Sequence, residues 1–110
     1  MTTPFEDIAG LNKIIHEPAR LAIMTALSVA KQADFLYLQS MTGLSKGNLS
    51  THLSKLEDAE LVAIHKHFKG KKPVTTASLT EQGREMFNEY WKKLDNLRSQ
   101  ATQWTEKPEM

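Results

Sequence analysis

Residues Leu44 to Val62 read LSKGNLSTHLSKLEDAELV. Leu49, Leu53 and Leu56 recur at i, i+4 and i+7, the spacing that puts three apolar side chains on one side of an α-helix. The opposite side is left to Gly47, Ser50, Thr51 and Ser54, which are small and uncharged. A solvated helix usually carries Glu and Lys there, because they favour the helix and keep its surface soluble. A bare outer face is what a helix needs if its backbone is to come close to another molecule.

The flanking residues say how this helix is held. Ser45 is placed to cap it, and Thr42-Gly43 closes the preceding short helix, FLYLQSM, which Asp34 caps in turn. Two helices joined by so short a turn must cross steeply, which is the helix-turn-helix arrangement. After it, LVAIHKHF and VTTASL are β-branched or alternating runs separated by KGKKP, whose Gly70 and Pro73 read as a turn. This predicts a two-stranded β-hairpin with a lysine-rich tip.

Further out, Thr3, Pro4 and Glu6 form an N-cap, a proline at the first helical position and a capping-box partner. They start a short helix whose apolar side is Ile8, Leu11, Ile14 and Ile15. Pro18 restarts a stronger one, with Leu21, Ile23, Met24 and Leu27 inward. Thr80 caps a last helix from Glu81 to about Trp104, and TEKPEM, Thr105 to Met110, reads as a frayed tail. Phe87, Tyr90, Leu94, Leu97, Ala101 and Trp104 step along that helix by three and four. Such a stripe asks for a second apolar surface, and the same stripe on another copy of the chain is the simplest supply.

With 110 residues and 40% of them hydrophobic, one core can form but not two. The expectation is a single domain over 1–110, with its core in 14–79 and a dimerisation helix in 80–104. The fold class is α+β, mostly helical. The chain has no Cys, which excludes disulfides, thiolate metal sites and Cys nucleophiles. Neither a membrane-length apolar run nor a signal-like start is present, so the chain is expected to be cytoplasmic, with no membrane partner. The net charge of +1 argues for no partner by itself. Its distribution does: HKHFKGKK, His65 to Lys72, holds four lysines and two histidines without an acid.

A major groove about 12 Å wide admits one helix, provided short side chains let the backbone approach the bases. The candidate DNA contacts are therefore Ser45, Lys46, Gly47, Asn48, Ser50, Thr51, Ser54 and Lys55 on the helix, with Lys69, Lys71 and Lys72 on the hairpin. Hydroxyls can bond base edges or phosphates, the Thr51 methyl can touch a thymine methyl, and the lysines can reach phosphates.

Three segments, HEPARLAIMTAL, LSKGNLSTHLSKLEDAELV and ASLTEQGREMFNEYWKKL, resemble the small winged helix-turn-helix transcriptional regulators of the MarR-like and ArsR-like group. The resemblance covers about Ile14 to Leu97. It implies a dimeric DNA-binding fold in which Lys46 to Leu56 is the recognition helix, Ile64 to Ser78 the wing, and the last helix the join between subunits. One departure stands out. The family usually has Gly where this chain has Glu60, and a left-handed Glu costs on the order of 1 kcal/mol, so a local difference at that helix end is expected. The thiolate metal sensing common among ArsR-like proteins is excluded by the lack of Cys.

Each feature also has a plainer reading. The helix face could be ordinary surface, and the lysines at 69, 71 and 72 could merely keep the hairpin soluble. His52, on the flank of the helix, suits packing or a phosphate hydrogen bond better than catalysis. His65 and His67 lack a third ligand for a metal. Phe87, Tyr90, Trp91, Leu94, Leu97, Ala101 and Trp104 are the expected dimer residues, although Tyr90, Trp91 and Trp104 could line an effector pocket. The function expected is a homodimeric regulator, a repressor, on an approximately palindromic double-stranded DNA site. No cofactor, metal or catalysis is expected, and a small-molecule effector stays open. The alternative is a winged-helix protein-interaction module, which would centre on exposed aromatic or aliphatic side chains that neither the helix face nor the hairpin tip is expected to offer.

Overall fold

The computed structural model describes residues 2–104; the expected tail lies outside them. Local side-chain chemistry sets the helix starts. In α1, Pro4–Ala9, the Glu6 amide donates to Thr3 Oγ1 and the Thr3 amide to Glu6 Oε2, the reciprocal capping box. The Glu17 carboxylate accepts from the amides of Ala19 and Arg20 to open α2, Pro18–Val29. Asp34 accepts from the Tyr37 amide at 2.7 Å to open α3, Phe35–Thr42, and Gly43 ends it in the left-handed region at φ 71°. Ser45 caps α4, Lys46–Asp58, by accepting from the Asn48 amide.

The sheet departs from expectation in two ways. It has three strands, not two: β1, Ala33–Asp34, pairs with β3, Lys72–Leu79, which also pairs antiparallel with β2, Val62–Lys69, in the order β1-β3-β2. The two residues of β1 are too few to show a strand period, and the extended backbone that Asp34 needs as a cap is what lets them pair. The turn is also shorter than KGKKP. Only Gly70 and Lys71 lie between the paired Lys69 and Lys72, with positive φ at Gly70 but not at Lys71, as in a type II′ hairpin.

Leucines and isoleucines from α2, α3, α4 and the sheet base fill one core, in which Ile15, Ile23, Met24, Leu27, Leu38, Leu49, Leu56, Leu61 and Val62 are fully buried. The turn out of α4 joins that core to α5, Glu81–Thr102. Glu60 is left-handed at φ 63°, the Leu61 amide donates to Leu56 O and the Glu60 amide to Glu57 O, completing a Schellman ending. The local difference expected at Glu60 is absent: Glu adopts the glycine conformation. Thr80 Oγ1 holds the turn by donating to Glu60 O at 2.7 Å while accepting from the Gly83 amide. At Gly83 a Cβ would overlap the Leu61 carbonyl, so this contact admits only glycine.

Beyond the core, α1 packs back along α5 and forms a two-helix arm. The arm alters the reading of the last helix. Phe87, Tyr90 and Leu97, expected to face a second copy, are buried inside the chain in one cluster with Leu11 and Ile15. Contrary to what its spacing predicts, the stripe does not lack a cover within the chain: the residues before Pro18 fold back and cover its inner edge. Leu94 and Ala101 are half-buried, whereas Trp91 and Trp104 are exposed. The chain measures 70 × 26 × 21 Å with a radius of gyration of 17.5 Å, against about 13 Å for a compact chain of this length.

Candidate nucleic-acid interface

The recognition-helix candidates stand where the leucine pattern put them. Leu49, Leu53 and Leu56 are buried, and Lys46, Gly47, Asn48, Ser50, Thr51, Ser54 and Lys55 are exposed. Ser45 is exposed too, but its Oγ is occupied by the Asn48 amide. Between α4, α3 and the sheet lies a cleft of about 1160 Å³. The helix contributes Lys46, Ser50 and Ser54 to its lining and the wing contributes Lys66, Lys69 and Lys72; Asp34 and Glu57 are its acids. Gly47, Asn48, Thr51 and Lys55 stand outside this lining, as does Lys71 at the turn. Lys66 is not among the contacts expected from the sequence, although strand alternation places it with Ile64 and Phe68 on one face of β2.

Gly47 is informative because nothing inside the chain requires it. Its φ is not positive, and a Cβ there would meet no atom within 4 Å. Glycine in a helix costs about 0.5–1 kcal/mol relative to alanine. The small side chain is thus unexplained by packing and fits close approach from outside.

His52 is fixed from behind. Arg20, buried on α2, donates from Nε to Ile14 O at 2.6 Å and from Nη2 to Lys13 O at 3.2 Å, and its Nη1 lies 3.1 Å from His52 Nδ1. Arginine can only donate, so His52 Nδ1 is the acceptor of this contact. Glu17 Oε2 lies 3.7 Å from the same ring nitrogen and 3.8 Å from Arg20 Nη1. Burial opposes ionisation of Glu17. The amides of Arg20 and Ala19, with the charge of Arg20, outweigh it and hold the carboxyl below its ordinary value. This cluster ties α4 to the segment that leads into the arm, where His16 Nδ1 and the Tyr90 hydroxyl are 2.7 Å apart. Burial pushes the Tyr90 hydroxyl above its ordinary value.

On the wing, the rings of His65 and His67 stack with centroids 5.3 Å apart, and His67 Nδ1 is buried without a partner. Among the described residues no group of three or more His, Cys, Asp or Glu is placed to hold a metal, and no helix is long and apolar enough to cross a membrane. The hairpin tip differs from expectation in one side chain: Phe68 is 72% exposed.

Comparison with known proteins agrees with this geometry. Residues 19–98 match the family described as the winged helix DNA-binding domain. An uncharacterised protein of Methanocaldococcus jannaschii is 32% identical over 78 residues, spanning 71% of this chain and 85% of that one. The solved transcriptional regulator homologue protein from Pyrococcus horikoshii OT3 superposes with a TM-score of 0.80 at 28% identity, covering 87% of this chain and 94% of that one. A MarR family transcriptional regulator from Silicibacter pomeroyi shares the fold, with a TM-score of 0.66 at 17% identity over 86% of this chain and 60% of its own. The chain belongs to the winged helix DNA-binding domain family, and its fold is that of MarR-type transcriptional regulators.

Proposed function

We propose that this chain is a sequence-specific double-stranded DNA-binding regulator that works as a homodimer and represses by occupying promoter DNA. α4 enters the major groove, with Lys46, Gly47, Asn48, Ser50, Thr51 and Ser54 toward the bases and Ser45 and Lys55 toward the backbone. Lys69, Lys71 and Lys72 hold phosphates from the wing. The observation that carries this reading is the cleft that Lys46, Ser50 and Ser54 of the helix share with Lys66, Lys69 and Lys72 of the wing; Gly47, on the same helix outside that cleft, has no packing reason to be glycine. The dimer rests on shape. A chain drawn out to 70 Å, with Phe5, Trp91 and Trp104 exposed on its arm and Ile14 exposed in the segment that leads into it, has apolar surface left for a second copy.

A salt titration tests the electrostatic half. Neutralised phosphates release counterions, so log K falls with log salt in proportion to their number. Changing Lys71 and Lys72 together to Ala should weaken binding to all duplexes about equally and lower the slope by about 1 to 2 units. An unchanged slope would take the wing off the DNA.

A further inference from the structure

Phe68 is a large apolar side chain set among charges. It pairs with Pro73 across the hairpin, so the two share one face, a single residue pair away from Lys69 and Lys72 and the Gly70-Lys71 turn. Both are exposed. No acidic residue occurs between Leu61 and Thr80, while Lys66, Lys69, Lys71 and Lys72 all do. The face that carries Phe68 begins at the buried Val62 and the half-buried Ile64. The hairpin outruns the core, and its last apolar pair is carried into solvent.

Isolated surface hydrophobics need no explanation, but this pair is braced. Continuous pairing from Val62 with Leu79 to Lys69 with Lys72 fixes the strands, and Pro73 has its φ locked by its ring. Phe68 cannot fold back to the core without breaking that register. The surrounding charge selects a polyanion as the occupant. A polyanion that also offers apolar surface between two rows of phosphates is duplex DNA seen from the minor groove, whose walls are sugars and whose floor is base steps. The groove is about 6 Å wide and paired strands lie about 4.8 Å apart, so a hairpin tip can present one ring to it.

We propose that Phe68, backed by Pro73, is a minor-groove wedge: it presses into a base step beside the major groove that α4 occupies, partly unstacks it and kinks the duplex, while the wing lysines hold the phosphates on either side. The proposal rests on the DNA-binding reading above and adds to it a contact that is apolar and therefore insensitive to salt.

The test uses the full chain and a duplex of about 30 base pairs that the wild-type chain enriches from a random pool. The duplex carries dyes at its two ends and 2-aminopurine at the step facing the wing. Wild type should shorten the end-to-end distance and raise the 2-aminopurine fluorescence. Phe68→Ala should keep the wild-type melting temperature, bind about tenfold more weakly, lose both signals and leave the salt slope unchanged. Phe68→Leu, another apolar wedge, should retain most of both, and the Lys71→Ala, Lys72→Ala variant should lower the slope while keeping the bend. Phe68→Ala binding and bending like wild type would overturn the wedge, as would wild-type binding without either signal. A wild-type chain that binds no duplex would overturn the DNA reading and the wedge with it.

Discussion

Single residues at the α4–α5 junction carry strain that can be measured. Glu60 sits at φ 63°, where a side chain crowds the backbone and glycine does not. Glu60→Gly should stabilise the chain by about 1 kcal/mol in urea unfolding, because the bond it accepts from Thr80 uses only its carbonyl. No gain would mean that the Glu60 side chain makes an offsetting contact. Gly83→Ala should cost about 3 kcal/mol, since the added methyl meets a backbone carbonyl rather than a side chain that can move. Glu17 supplies a pH signature. Its carboxyl is held below the ordinary value in the folded chain, so the unfolded chain takes up the proton first. The stability it contributes is full above the unfolded pKa and is lost as pH falls through the folded one. Glu17→Gln should flatten the acid limb of a stability-against-pH curve, and an unchanged limb would assign it to other carboxylates.

Among the elements, legibility followed the range of the forces involved. Thr3, Asp34, Ser45 and Thr80 cap helices as read from sequence, because a cap joins a side chain to an amide two or three residues on. The leucine spacing of α4 told its two faces apart for the same reason. What depended on distant segments was not legible. β1 exists only because the entry to α3 happens to lie beside β3. Phe68 alternates with Ile64 and would have been placed with the core face, yet the sheet extends past the core that covers it. The His52 partners are 32 and 35 positions away in sequence. The α4 face itself separates stability from function. Gly47→Ala should raise helix stability by about 0.5–1 kcal/mol and weaken DNA binding, a combination that calorimetry and anisotropy on one sample would show. Tighter binding after this change would remove Gly47 from the interface. Replacing Thr51 or Ser50 should instead alter base preference, costing about 1–3 kcal/mol at the preferred site and little on random DNA.

At the scale of the molecule, the arm decides how two subunits would stand. Its inner edge is closed by Leu11, Phe87, Tyr90 and Leu97 within one chain, so what is left for a partner is the exposed aromatic surface of Phe5, Trp91 and Trp104 on its flanks. Trp91→Glu combined with Trp104→Glu should leave a folded monomer in sedimentation, and a persistent dimer would move the interface elsewhere. A two-fold dimer relates its recognition helices by symmetry, and two helices that enter successive major grooves on one face of a duplex read half-sites about 34 Å apart. The central claim is that α4 reads base sequence from such a pair. Selection of bound duplexes from a random pool by the unmodified chain tests it most directly. The expected result is an enriched approximate palindrome with half-site centres about 10 base pairs, or a multiple of that, apart; recovery of no enriched sequence would contradict base reading by α4.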